Sequence, residues 1–226
     1  MDTNTKEKTK INKTMIYYAL SILSFCLFII LIILLKCLDV KNIGPNNSSI
    51  GLATINNFFV KNLDNFSWFK IITDIFGILS ILIMVEFCII GGYQLIKRKS
   101  IAKVDRDIIL LGFIYVLIIA IYIFFEIVVI NYRPILVDDV LEASFPSSHT
   151  LLILTVCSTS IIEINDRIDN KTLKTIFIVL LSIIMVVTFF GRFACGYHWF
   201  TDVLASLFIS LSLTFLFAGL KRVLIK

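Results

Sequence analysis

Of the 226 residues in this chain, 58% are hydrophobic and 16% charged, with 20 phenylalanines and a formal net charge of +5. So much apolar surface cannot be hidden in one soluble core, which excludes a water-soluble globular protein and describes an integral membrane protein. The small positive balance falls on one side of the apolar runs. It therefore speaks of membrane orientation and anionic headgroups, not of nucleic-acid binding.

The first 14 residues, MDTNTKEKTKINKT, are polar and lysine-rich. The apolar run behind them, Met15 to Leu38, exceeds the roughly 7–15 residues of a signal-peptide core and reads as a retained first span. A bilayer core of about 30 Å needs about 20 helical residues. On that measure six spans are expected, near 15–38, 67–96, 107–130, 148–164, 174–191 and 199–220. Each must be helical, because open strand edges in lipid leave backbone groups without partners. Between the first two, the segment Asp39 to Ser67 alternates apolar and polar residues around Ile55, Phe58, Phe59 and Leu63. That pattern fits a helix lying on the membrane surface. With only three prolines and nine glycines and no internal repeat, residues 1–226 form a single all-α domain, a polytopic bundle of six transmembrane helices.

Orientation follows from the basic residues. Lys6, Lys8, Lys10 and Lys13 precede the first span. Lys97, Arg98, Lys99, Lys103 and Arg106 separate the second and third, Arg167, Lys171 and Lys174 the fourth and fifth, and Lys221, Arg222 and Lys226 end the chain. The positive-inside rule makes that side cytoplasmic, with both termini in it. Lys36, Lys41, Lys61, Lys70, Arg133 and Arg192 are left for the outer face.

Three polar clusters also fall on that outer side: Arg133-Pro134, Pro146-Ser147-Ser148-His149, and Arg192 followed by His198 and Asp202. They contain both histidines of the chain, and groups this polar are costly beside hydrocarbon. His198 and Asp202 are four residues apart, which on a helix puts them on one face. There the carboxylate can take a proton from one imidazole nitrogen and leave the other free as a nucleophile. Ser147 is placed to cap the helix of the fourth span, whose N-terminus is an anion site, and His149 follows within a turn as a proton donor. Arg133 and Arg192 are permanently charged forks suited to phosphate oxygens. Taken singly, each pattern is more often a helix start or a headgroup anchor. Together they point to a phosphate group that is bound and then attacked.

These motifs resemble those of the type 2 phosphatidic acid phosphatase (PAP2) superfamily, whose pattern is Lys-x6-Arg-Pro, then Pro-Ser-Gly-His, then Ser-Arg-x5-His-x3-Asp. Here it reads Glu126-x6-Arg133-Pro134, Pro146-Ser147-Ser148-His149 and Gly191-Arg192-x5-His198-x3-Asp202, so the core motifs span 126–202. The resemblance implies a lipid phosphatase in which His198 attacks phosphorus, Asp202 orients it, and His149 protonates the leaving oxygen and later activates water. Arg133, Arg192, Ser147 and Ser148 would hold the phosphate oxygens. No cofactor and no metal is implied, and the carboxylates are scattered along the chain without metal-ligand spacing. The implied partners are the bilayer and a lipid phosphate or diphosphate met at the outer leaflet of a plasma membrane. Phosphatidate, phosphatidylglycerol phosphate and a polyprenyl diphosphate such as undecaprenyl diphosphate all qualify. The polyprenyl carrier suits a small enzyme without extra domains.

Three positions depart from the pattern. Ser148 replaces a glycine, Gly191 replaces a serine, and Glu126 stands where the family has a phosphate-binding lysine. A carboxylate ~4 Å from a phosphate charge is repelled by a few kcal/mol at an effective dielectric of ~20. Binding then needs Glu126 protonated, turned away or paired, or help from Lys36, Lys41, Lys61 or Lys70. The alternatives are a catalytically weak relative that binds lipid headgroups, and a channel or transporter using Glu86 and Glu126. Asp74 and Glu86, both in the second span, are either functional carboxylates or interhelical hydrogen-bond partners.

Overall fold

The structure, a computed structural model, describes residues 3–63 and 66–224, with side chains from residue 12 onward. The side chains of Lys6, Lys8, Lys10 and Lys226 lie outside the described residues. Seven α-helices follow one another: α1 (Thr3–Cys37), α2 (Ala53–Asn62), α3 (Trp68–Arg98), α4 (Arg106–Ile127), α5 (Ser148–Arg167), α6 (Lys171–Ala194) and α7 (Phe200–Leu224). The expected spans fall on α1 and on α3 to α7. The segment between the first two spans contains the short helix α2.

Five of these helices, α1, α3, α4, α6 and α7, are long and apolar enough to cross a membrane. The expectation was six, and the helix that does not meet the measure is α5. Its sequence carries Thr150, Thr155, Thr159, Ser160 and Glu163, all buried. The physical reason is position: α5 packs against α3, α4, α6 and α7, so its surroundings are protein and it can carry polar groups that a lipid-facing helix cannot. Hydroxyls on and around α5 are bonded within the bundle. Thr159 Oγ1 donates to the Thr155 carbonyl at 2.8 Å, Ser158 and Thr214 share a bond of 2.6 Å, and Ser210 Oγ donates to the Leu151 carbonyl at 3.3 Å. The outer helices instead expose large apolar side chains such as Ile71, Ile89, Val116 and Ile183, as a surface solvated by lipid requires.

Helix α1 lies along α7. Ser21 Oγ donates to the Ser212 carbonyl at 2.9 Å, and a Cβ on Gly219 would come within 2.8 Å of the Tyr18 ring. Small residues thus let the two backbones approach, the usual means of association without a hydrophobic drive.

The two ends of the bundle differ in chemistry. The end formed by the last turn of α3, the first of α4 and the last of α5 and α7 carries the basic residues. There Glu163, only 1% exposed, accepts from Lys221 Nζ at 2.6 Å and from Arg167 Nε at 2.7 Å. Lys221 also pairs with Asp166 at 2.8 Å. The opposite end, where α5 and α7 begin and α6 stops, holds all three polar clusters.

Breaking a buried ion pair by removing one partner typically costs about 3–5 kcal/mol. Because Arg167 stays on Glu163, Lys221→Met is expected to lose somewhat less, about 2–3 kcal/mol, read as a lowered unfolding midpoint in detergent.

Candidate active site

Helix α7 begins at Phe200, so His198 stands just outside it and does not share a helical face with Asp202. Asp202 instead closes the helix start, accepting from the Trp199 backbone N–H at 3.1 Å in the manner of a capping box. Its other donors are Asn131 Nδ2 at 3.3 Å and the Ser144 hydroxyl. The carboxylate remains 4.0 Å from His198 Nδ1, beyond hydrogen-bond length. The group that holds the imidazole is Ser144: its carbonyl lies 3.0 Å from Nδ1 and its hydroxyl bonds Asp202. Sequence reasoning missed Ser144, because it belongs to no motif and reaches the site only through the fold.

A carbonyl can only accept, so Nδ1 carries the hydrogen and Nε2 keeps its lone pair. Arg133 Nη1 lies 3.3 Å from Nε2 and, as a guanidinium, can only donate. Burial, with Arg133, Arg192 and His149 nearby, holds the His198 imidazolium well below the ordinary histidine range. His198 is therefore neutral at ordinary pH.

Arg133 is fixed by the loop between α4 and α5, which doubles back on itself. Its backbone N–H donates to the Glu142 carbonyl at 3.0 Å, and Ser144 N–H donates to the Asn131 carbonyl at 2.9 Å. Arg133 Nε sits 3.0 Å from Glu142 Oε2 as an ion pair. The Trp199 indole donates to the Tyr132 carbonyl at 2.7 Å, tying this loop to the start of α7.

The second histidine is set by three helices. His149, in the first turn of α5, has Arg192 Nη2 3.2 Å from Nδ1 and Asp74 Oδ1 3.3 Å from Nε2. Since Arg192 has no acceptor, Nδ1 accepts and Nε2 bears the hydrogen. Arg192, 2% exposed at the end of α6, donates from Nη1 to Asp74 Oδ1 and to Thr73 Oγ1, both at 3.0 Å. Asp74 on α3 also takes Lys70 Nζ at 2.8 Å. Neither arginine has an acidic partner that sequence spacing could assign. Glu142 and Asp74 supply them through tertiary folding, and Asp74 is a site residue that the motifs do not contain.

Gly191 explains one departure from the family pattern. A Cβ there would lie 3.0 Å from the Phe69 ring and 3.2 Å from Thr73 Cγ2. The missing side chain lets α6 press onto α3 and brings Arg192 to Thr73 and Asp74.

Ser147 differs from its expected part as a cap. It is fully buried, makes no side-chain cap bond, and accepts a hydrogen bond from Thr150 Oγ1 at 3.0 Å. Ser148 lines two clefts together with Tyr122. One is a small depression that also holds His198, Arg133, Pro146 and Glu126. The other, about 640 Å³, starts at His149 and Asp74 and runs between α3 and α4 past Gly77, Ile81, Val85 and Ile118. The two histidines thus stand on either side of Ser148. The Glu126 side chain is exposed and shares the depression with Arg133, whose ion-pair partner is Glu142. Glu86 lines a different cleft, between α3, α5 and α6, so Glu86 and Glu126 do not mark one path.

Comparison with known proteins adds three findings. The family model described as PAP2 superfamily matches residues 113–224. A search of curated proteins gives no match. Among solved structures, the fold is similar to the crystal structure of the first transmembrane PAP2 type phosphatidylglycerolphosphate phosphatase from Bacillus subtilis, with a TM-score of 0.63 and 20% sequence identity over 92% of this chain and 98% of that one.

Asp202→Ala leaves the Trp199 N–H, Asn131 Nδ2 and the Ser144 hydroxyl without their acceptor. Each buried orphan costs about 1–3 kcal/mol, so a loss of about 3 kcal/mol or more is expected, with Asp202→Asn losing less because it keeps one acceptor oxygen. Melting of the purified variants in detergent checks both.

Proposed function

Residues 113–224 belong to the PAP2 superfamily, and from this we propose that the protein is an integral membrane lipid phosphatase. It removes a terminal phosphate from a lipid phosphate or diphosphate through a phosphohistidine intermediate. The observation that carries the reading is the pair of histidines flanking Ser148: one with an unprotonated Nε2 facing Arg133, the other with a proton on Nε2 at the head of an apolar cleft.

In the first step His198 Nε2 attacks phosphorus and the bond to the lipid oxygen breaks. That oxygen takes the proton of His149 Nε2, which turns from Asp74 to the leaving group. In the second, water attacks the phosphohistidine and gives its proton back to His149. The P–N bond breaks, and inorganic phosphate leaves. Throughout, Ser144 holds the proton on His198 Nδ1. Asp202 acts on the nucleophile through Ser144, as an anion that opposes the positive charge growing on the ring. Arg133, Arg192 and Ser148 with the first-turn amides of α5 hold the phosphate oxygens. Ser147 serves by shaping that first turn from beneath.

The α3–α4 cleft suits a hydrocarbon tail, since beyond His149 and Asp74 its lining is largely apolar. Phosphatidate, phosphatidylglycerol phosphate and a polyprenyl diphosphate remain the candidate substrates, and the second is the lipid for which the similarly folded Bacillus subtilis phosphatase is named. The separation of basic residues from the polar clusters supports six spans, cytoplasmic termini and a site on the outer face of the plasma membrane. Helix α5 would make the sixth crossing at the centre of the bundle.

Purified protein in detergent with a chelator present is expected to release inorganic phosphate from at least one of these lipids, with release falling at least ~10³-fold in His198→Ala, the order lost when a nucleophile is deleted. Equal release by both proteins, or none on any lipid, overturns the reading.

A further inference from the structure

We infer that Lys70 is a phosphate-binding residue of this site, supplying from α3 the cation that position 126 on α4 does not. The inference rests on the phosphatase reading above.

Three donors from three helices converge on one carboxylate. Lys70 Nζ is 2.8 Å from Asp74 Oδ2, Arg192 Nη1 is 3.0 Å from Oδ1, and His149 Nε2 is 3.3 Å from Oδ1. A carboxylate presents two anionic acceptor oxygens much as a phosphoryl group does. Asp74 therefore shows which side chains can meet on one anion, and Lys70 is among them. Lys70 Nζ also lies 5.2 Å from the centre of the Tyr197 ring, the residue before His198 in the chain, and shares Asp74 with His149.

The other outer lysines are engaged or placed elsewhere. Lys36 Nζ is 3.3 Å from the Val129 and Ile130 carbonyls, and Lys41 pairs with Asp39 at 2.7 Å. Lys61 lies in the last turn of α2, on a different element from the Asp74 cluster. Lys70 has the mobility the task needs, with 39% of its side chain exposed and a flexible stem.

Charge gives the reason a further cation is required. Arg133 is paired with Glu142 and Arg192 with Asp74, while Glu126 faces the His198 depression. With Asp202 beside His198 these make four carboxylates against two arginines, so an added cation lowers the cost of admitting a phosphate dianion, and Lys70 is the lysine that already meets Asp74. Since Lys70 and Asp74 are one helical turn apart, the same carboxylate that anchors Arg192 and His149 keeps the lysine poised over them.

The test uses full-length protein in detergent. It measures KM and kcat on a short-chain phosphatidate, and the affinity for inorganic phosphate by calorimetry, which needs no turnover. A charge-assisted hydrogen bond of about 1.5–3 kcal/mol corresponds to roughly 10–100-fold in affinity. Lys70→Ala is expected to weaken KM and phosphate binding by that factor, with kcat within ~3-fold of wild type. Lys70→Arg should keep most of the binding, and adding Glu126→Lys to Lys70→Ala should restore it, which separates lost binding from lost folding. Unchanged phosphate affinity in Lys70→Ala overturns the inference. So does a fall in kcat at constant KM, or a Lys70→Arg variant as impaired as Lys70→Ala. Wild-type protein that binds phosphate through Lys70 but releases none from any lipid defeats the phosphatase reading instead.

Discussion

The end of the bundle where α5 and α7 begin is organised by one carboxylate. Asp74 is on α3, inside a run apolar enough to cross a membrane, where an unpaired charge is costly. Arg192, at the end of α6, is 2% exposed and equally in need of a partner. Each lowers the other's penalty, and removing Asp74 would strand the buried charge of Arg192. Around that pair the rest falls into place: His149 is held between the two residues and its tautomer is thereby fixed, and Lys70 is drawn down one turn. The close approach of α3 and α6 that brings the pair together depends on the missing side chain at Gly191.

A second constraint is the polarity of α5. A helix with five buried polar residues is poorly suited to lipid and well suited to the middle of other helices. Its central place puts its N-terminus where α3, α4, α6 and α7 all reach it. That is how residues from positions 70 to 202 come to surround Ser148 and His149. At its far end the same helix carries Glu163, engaged by Lys221 and Arg167. The polar axis of the protein is thus anchored by ion pairs at both ends.

Much of this was legible in the sequence. The long apolar runs marked the helices within a few residues at most ends, because lipid leaves few alternatives to helix. The three motifs marked Arg133, His149, Arg192 and His198, because local spacing is what a motif records. Other features were not legible, for a common reason. Ser144 reaches His198 across 54 residues, Asp74 reaches Arg192 across 118, and Glu142 meets Arg133 by a loop that folds back. None of these distances leaves a periodic trace. The expected helical face shared by His198 and Asp202 was read from spacing alone, and it failed because Trp199 caps the helix and leaves His198 outside it. The sequence also led to six spans, whereas α5 with its buried polar residues is not among the five helices long and apolar enough to cross a membrane.

Helix α2 gives a last consequence. Asn56, fully buried, accepts from the Thr201 backbone N–H at 3.2 Å and donates to its hydroxyl at 3.0 Å, and the Phe59 ring stacks on Phe200 at 4.2 Å. The chain just after His198 is therefore clamped by residues far ahead of the stretch 113–224 that the family model matches. Asp74 and Lys70 come from the same upstream part. The family stretch is accordingly not autonomous: severed from what precedes it, Arg192 would be a buried cation without its counter-ion and α7 would begin unsupported beside its histidine. The unit that folds around the site is thus larger than the stretch that the family model matches.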